Sequence, residues 1–535
     1  MELENRNEER KVVTAEVFLG LLKKEPNASN SINLNRVSIT ERITVSSHNL
    51  SNKTVRINFH NCIFNLLSIS KIDRPLELNF LGCTISNLNV SKDSQIVENS
   101  IPIELTIKGD SDIHRLVVLK RASISAHFSD SVIGEIYSYS STFTDFHCDN
   151  INFKNKLVFE DSKLNSVRFN ECDFEKYFTI HKSSIITGKL LLDECLFKEQ
   201  FFFDFSGKES SPELKISIQS CKTEDRLVFF GKGAIAKRLF VFKHKGELEI
   251  HDLNINFVEI QGAFESHASY RFSYCNFNHF NCIGINSIFQ LSSIKSFGSK
   301  SEFSIRASNM NNASLFDTDL RSFDFVLIEK SDFTNMTTSR VIWFDNKKLK
   351  TNYESEEAVP HEKRELYRQL KYNQEKQGNK IQALEFQSLE MKYYSQELAP
   401  KHAIANVLLR NKFIAFFGQF ILAFTSQNRF ILWIGKSNNH GQSFLKPLVF
   451  LVVLGLIFNF LIIQSASPQS AMDLLFKKGN LQMLPSLLNP VHDISKLLHV
   501  EETSFLTGTL DLIWKVVETT LIFQTITAFR KHVRV

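Results

Sequence analysis

Residues 170–197 read NECDFEKYFTIHKSSIITGKLLLDECLF, and one small unit stands near both ends of this stretch: a cysteine followed two places later by phenylalanine, at Cys172–Phe174 and Cys195–Phe197. These cysteines are 23 residues apart, and Cys148 precedes the first by 24. The unit recurs as Cys62–Phe64, Cys83–Ile85 and Cys275–Phe277, with 21 residues from Cys62 to Cys83. Around each, large apolar residues return every fifth position. The series are Phe59, Phe64 and Ile69; Phe80, Ile85 and Val90; Leu192, Phe197 and Phe202; and Phe272, Phe277 and Cys282. A later stretch keeps the rule with other small residues, at Ala313–Leu315 and Thr318–Leu320, followed by Phe325. A period of five fits neither a helix nor a lone strand. It fits a square coil with one large residue pointing inward from each side and a small residue near each corner. Each coil buries its inner face only by stacking on its neighbours, which is the property of a solenoid.

Composition agrees. The 535 residues include 49 Phe but only 19 Gly and 10 Pro, as a fold with many equivalent Phe positions requires. The pattern of a small residue, a polar one, then Leu or Phe resembles the pentapeptide-repeat family, and that resemblance implies a right-handed quadrilateral β-helix. Its runs are clear near 57–90, 143–205, 270–284 and 313–335. Around 100–140 and 205–265 there is strand-like alternation without clean fives. The fold class expected is mainly β: a β-solenoid, then a helical hairpin and a two-span α-helical transmembrane domain. The expected divisions are an N-terminal cap at 1–40, the solenoid at 41–345 and a hairpin linker at 355–400. Interfacial amphipathic helices at 401–446 and a transmembrane domain at 447–535 complete them.

The apolar stretch Val17–Leu22 is too short for the core of a signal peptide and is flanked by charge, so the soluble part is expected in the cytoplasm. Eight cysteines lie between Cys62 and Cys282 without a Cys-x-x-Cys pair. In a reducing compartment they read as packed small side chains, and no cofactor or metal is expected. The net charge of +5 is small for this length and carries no nucleic-acid signature.

From Glu362 to Leu398 the pattern turns helical. Leu366 and Leu370 lie four apart, Gln377-Gly378-Asn379 is a natural break, and Gln382, Phe386, Leu389 and Tyr393 share one face of a second helix. This segment loosely resembles one tetratricopeptide-like hairpin, and it reads as a joint that caps the solenoid.

Leu448–Ile463 reads LVFLVVLGLIFNFLII, sixteen residues without a charge. With its flanks it approaches the ~20 residues that a bilayer core requires. The spans are expected at about 447–465 and 509–529. Basic residues set the orientation: Lys401, Arg410, Lys412, Arg429, Lys436 and Lys446 precede the first span, and Arg530, Lys531, His532 and Arg534 close the second. Both termini are therefore expected in the cytoplasm, with the loop of about 465–504 outside. For a bacterial protein this is the inner membrane. The runs Phe413–Phe424 and Phe430–Ile434 are too short to cross and suit helices lying in the interface.

The second span carries Asp511, Lys515 and Glu518, spaced four and three apart on one helical face. Charge at membrane depth is expensive and usually faces a bundle interior or a watery path. These three are the pore-facing candidates. The alternative is an Asp–Lys pair in the outer headgroup region, with the apolar span starting at Val516. From there to Phe529 is fourteen residues, ~21 Å as helix, short for a bilayer core.

No phosphate-binding loop, zinc-protease helix, nucleophile elbow or potassium filter is present, so no enzyme is expected. The layout resembles bacterial membrane proteins that join pentapeptide repeats, a helical hairpin and a two-helix membrane unit with a basic tail (here Ala528-Phe529-Arg530-Lys531). That resemblance implies an ion-channel-like or membrane-disrupting effector, some such proteins acting in antiphage defence. Two spans cannot enclose a pore, so conduction requires a homo-oligomer in the lipid bilayer. The solenoid would then receive a ligand: a nucleotide, an oligonucleotide or a protein. A membrane-tethered scaffold without conductance is the alternative. DNA mimicry ranks last, because it needs an acidic, freely diffusing molecule.

Overall fold

The computed structural model describes all residues except 1–10, 25, 27–29, 54, 92–101, 120–121, 182–184, 206–212, 263–267, 353–358, 399–426, 437, 442, 467–488, 494–503 and 534–535. The chain divides into two units, 1–356 and 357–535. The first is a β-solenoid of about 14 turns, its strands joined in one sheet in which successive turns pair in parallel.

The sequence unit is the repeating corner of this solenoid. Strand register stacks Ile39, Phe64, Ile85, Ile113, Ile133, Phe153, Phe174, Phe197 and Thr223 in one inward column. Two places before each stands a buried Val37, Cys62, Cys83, Ser111, Ser131, Ile151, Cys172, Cys195 or Cys221. The residue before each of those is left-handed: Arg36, Asn61, Gly82, Asp110, Asp130, Asn150, Glu171, Glu194 and Ser220. A non-glycine residue there costs about 1–3 kcal/mol unless its surroundings enforce it. The next turn does so, because the amides of Asn61, Asp110, Glu171 and Glu194 donate to carbonyls stacked on them at 2.8–2.9 Å. The bend also explains the small residue. The Cys172 and Cys195 thiols turn back on the carbonyls of Asn170 and Asp193 at 3.2 Å, and the Ser131 hydroxyl on Ser129 at 2.8 Å.

All eight cysteines are free and buried. Burial raises the Cys275 thiol to about 12 and holds Cys148 and Cys282 well above their ordinary range, as befits packed side chains. The phenylalanines form the expected core ladders, with Phe178 stacked on Phe201 at 3.8 Å and Phe203 on Phe229 at 4.8 Å. On the outside, opposite charges alternate from turn to turn, as in Lys154–Glu175 and Arg238–Glu259 at 2.5 and 2.8 Å. Amides do the same in the run Asn33, Asn58, Asn79 at 2.6 and 2.8 Å.

The column runs through Ile113 and Ile133, in a region where the sequence shows no fives. Ser131, Ile133, Ile136, Ser138, Ser141 and Phe143 are buried in steps that sum to five, with Ser at three of the inward places. Two expected core residues are corrected. Phe202 is only half-buried while Phe201 and Phe203 are buried, and Phe325 is exposed while Phe323 and Val326 are buried. In both places a longer corner shifts the frame and turns the side chain outward.

The apolar stretch near the N-terminus forms helix α1 (Ala15–Leu22), with Thr14 accepting from the Val17 amide. It buries Phe18 and Leu22 and lays Phe18 against Phe59 and Phe64 at 6.4 and 5.9 Å, covering the first turn.

His244 follows Cys221 in the corner column, since Lys222 pairs with Lys245. Its ring is buried, with the backbone of Cys221 and Glu247 beside it. Burial lowers its pKa to about 4, whereas an unfolded histidine titrates near 6.5. Between those values the unfolded chain binds more protons, so stability falls as pH falls. The expected slope is about 1.4 kcal/mol per pH unit from about pH 6.5 to 4, with no contribution above it. Thermal unfolding at pH 7 and pH 5 should show this loss, and His244→Leu should reduce it.

The second unit is helical. Helices α2 (Pro360–Lys376) and α3 (Lys380–Glu397) form the expected hairpin, broken at Gly378, whose φ is +78°, with Asn379 capping α3. Tyr367 packs on Phe386 and Tyr393 at 6.0 and 5.8 Å, and Lys371 pairs with Glu390 at 2.8 Å. The buried face is Ala383, Phe386, Glu390 and Tyr393, so Gln382 and Leu389 flank it. Then follow α4 (Gln427–Lys436), α5 (Leu445–Ala466) and α6 (Phe505–Val533). Of the expected interfacial runs, Phe430–Ile434 lies in α4, and Phe413–Phe424 lies outside the described residues.

Candidate functional site in the helical hairpin

Helices α5 and α6 are long and apolar enough to cross a membrane. Contacts run in opposite order along the two helices: Ser465 meets Thr507 at 2.9 Å, Phe458 meets Trp514 at 5.2 Å, and Phe444, just before α5, meets Phe529 at 5.8 Å. They are therefore an antiparallel pair.

The buried positions of α6 are Thr507, Asp511, Trp514, Glu518, Leu521 and Ala528, the four-and-three spacing of a coiled-coil seam. Those of α5 include Leu451, Asn459 and Ile462. Hydrocarbon covers the outside as well as part of the seam, where Leu451, Ile462, Trp514 and Leu521 pack together. Leu448, Val449, Val452, Val453, Leu456 and Ile457 of α5 face outward, as do Leu512, Ile513 and Val516 of α6, while carboxyl and amide groups face inward. Such a pair is stable only where its surroundings are apolar.

The three charges of α6 separate. Asp511 and Glu518 enter the seam, whereas the Lys515 side chain sits at its edge with 28% exposure. Lys515 reaches back to Asp511 Oδ2 at 2.8 Å, and the other oxygen, Oδ1, meets His492 Nε2 at 2.7 Å. Glu518 is fully buried, and neither carboxyl oxygen has a hydrogen-bond partner. The Asn459 side-chain oxygen is unpartnered as well. At the opposite end of the seam Asn438 donates to the Gln524 side chain.

Beside the hairpin a groove of ≈ 830 Å³ is lined by Gln387 and Met391 of α3, Leu432 of α4, His440, and Lys515, Phe523 and Gln524 of α6. The α6 threonines beside it, Thr519 and Thr520, satisfy their hydroxyls on backbone carbonyls one turn back at 2.7 and 2.8 Å.

Sequence reading finds Asp511, Lys515 and Glu518 but misses His492 and Asn459. Asn459 leaves a trace, being the single amide in an apolar run of sixteen. His492 leaves none, because it lies in a loop and meets Asp511 only through the tertiary fold. Together these features define a membrane-associated β-solenoid protein whose helical hairpin encloses ionisable groups. Compared with protein-family models, characterised proteins and solved structures, the chain matches none.

Proposed function

We propose that the protein is the subunit of a homo-oligomeric membrane pore, gated by a solenoid of pentapeptide-repeat type that receives a cytoplasmic ligand or partner. It acts by conduction and not by catalysis. One observation carries this reading: the hairpin keeps carboxyl groups in its seam and hydrocarbon on its surface. A plain anchor needs only the hydrocarbon. Burying Asp511 and an unpartnered Glu518 costs several kcal/mol, and such groups in a span usually mark an ion or proton path. The basic residues at both outer ends of the hairpin favour termini in the cytoplasm, with the 465–504 loop outside.

Two helices enclose no lumen, so the path forms only when copies assemble around an axis. The outward face of α6 carries Thr519, Thr520 and Thr527 among its apolar side chains, whereas that of α5 is hydrocarbon from Leu448 to Leu461, which favours α6 at the axis. Asp511 and Glu518 lie in the seam behind that face and meet the path only where the seam opens onto it.

The test is ion flux through the purified protein in liposomes, with and without cell extract to supply the ligand. Flux from an oligomer, with altered selectivity in Asp511→Asn, supports the reading. A monomer that conducts under no condition would leave a tethered scaffold instead.

A further inference from the structure

Three phenylalanines stand close together on the outer wall of the solenoid, where its core makes no use of them. Strands Lys222–Phe242 and Lys245–Gln261 send Leu239, Val241 and Val258 inward. Side chains alternate along a strand, so Phe240, Phe242 and Phe257 point outward, and they are half-buried. Register sets Arg238 beside Phe257, with Lys215 and Lys189 on the two turns before it and His279 on the turn after Phe257. The adjoining outward places hold polar groups: Ser217, Gln219, Gln261 and Asn281.

The ring faces carry cations. Arg238 Cζ lies 5.5 Å from the Phe240 centroid and 5.2 Å from that of Phe257, and Lys243 Nζ lies 5.0 Å from that of Phe242. The Phe240 and Phe242 rings are inclined by only 9° with centroids 6.3 Å apart, and the His279 ring lies 5.9 Å from Phe257. Glu259 holds Arg238 at 2.8 Å, and Glu213 holds Lys237 at 2.6 Å. Lys189, Lys215 and Lys243 are exposed and form no ion pair among the described residues. Asp193 and Glu194 are the acids on the adjoining turn.

We propose that this patch binds a single-stranded oligonucleotide, as the cytoplasmic ligand of the solenoid. Bases stack on aromatic rings and guanidinium planes, and phosphates pair with flanking cations. The patch supplies both, and the chain-wide charge conceals it because the acids lie elsewhere or are already paired. The ring faces are covered by mobile side-chain cations, so a base takes the place of the Lys243 ammonium on Phe242 and the ammonium moves to a phosphate. Phe240 and Phe257 belong to successive turns with Arg238 between them, which suits consecutive bases better than one nucleotide. A duplex does not fit, because its base faces are already stacked. That the solenoid receives a ligand at all is the reading proposed above, on which this site rests.

The test uses the full-length protein in nanodiscs of zwitterionic lipid, with matched fluorescent single-stranded DNA and RNA probes of about ten nucleotides, the scale of such sites. Anisotropy should show binding that weakens with salt, with a logarithmic slope of about −0.7 for each phosphate held. Phe240→Leu and Phe257→Leu keep an apolar side chain without the ring, and each should weaken binding about tenfold or more at an unchanged thermal midpoint. Lys215→Ala should flatten the slope by about 0.7. Phe202→Leu removes an outward ring from another wall and should change neither. No binding of either probe at about 50 mM salt would overturn the site, as would wild-type affinity in both Leu variants. Equal binding of a duplex or of a polyglutamate peptide would do the same, since neither offers a free base. Binding in a protein that never conducts removes the pore and keeps the site. Flux opened by cell extract, and unaltered when nuclease has digested that extract, removes the site and keeps the pore.

Discussion

Glu518→Leu is expected to make the helical unit more stable and the protein unable to pass ions normally. Glu518 is fully buried and neither carboxyl oxygen meets a donor. A buried polar group left unsatisfied costs about 1–3 kcal/mol, and more when charged. Replacing it by an apolar side chain of similar volume removes that penalty, and Leu would lie between Trp514 and Leu521 in an already apolar stretch of seam. The thermal midpoint of the unit, followed by Trp514 fluorescence in a variant lacking the other two tryptophans, should rise. Ion flux in liposomes should fall at least tenfold. Glu518→Gln keeps a polar group without the charge and should lie between the two in stability. The opposite signs matter, because a residue kept for stability would lose both properties together. Flux at the wild-type level in a stabilised Glu518→Leu protein would reduce the hairpin to an anchor.

Phe178→Ala should damage the solenoid more than any single surface change. Phe178 is fully buried, stacked on Phe201 at 3.8 Å and edge-on to Phe169 and Phe174 at 5.9 and 6.0 Å. Truncating such a side chain costs about 3–5 kcal/mol, combining lost burial with the cavity left behind. A solenoid contacts only neighbouring turns, so the weakness should be local. Limited proteolysis should cut first in the turns around residues 157–203, at a temperature where the wild-type chain resists. The half-buried neighbour Phe202 gives the control: Phe202→Ala should cost less than about 1 kcal/mol. Equal losses from the two variants would show that the inward frame is misplaced.

These two residues also mark how legible the protein was in its sequence. Phe178 is absent from every five-residue series, because the step from Phe174 to Phe178 is four residues, as from Phe153 to Leu157 and from Phe197 to Phe201, where the earlier turns take three. Yet the solenoid could be read from the unit that Cys172–Phe174 and Cys195–Phe197 share with other turns. A small corner and a large side recur through most turns, so exceptions such as Ile151 and His244 average out over many turns. The serine-lined turns near 131–141 hid from the same reading, because a small polar residue fits both a surface strand and the tight corner where its hydroxyl bonds the chain.

In the hairpin, apolar length alone marked both candidate spans, since hydrocarbon demands it, and the spacing of Asp511, Lys515 and Glu518 showed a charged stripe. Sequence could not decide which neighbours those charges meet. Helical periodicity assigns a face but not what packs against it, and only the antiparallel docking of α5 on α6 divides the stripe into a seam and an edge. His492 belongs wholly to the tertiary structure: it stands 19 residues before Asp511 in sequence and 2.7 Å from it in space, because chain folding, and no local propensity, brings a loop histidine onto a helix. What repeats along the chain was written in the sequence; what meets once was settled by packing.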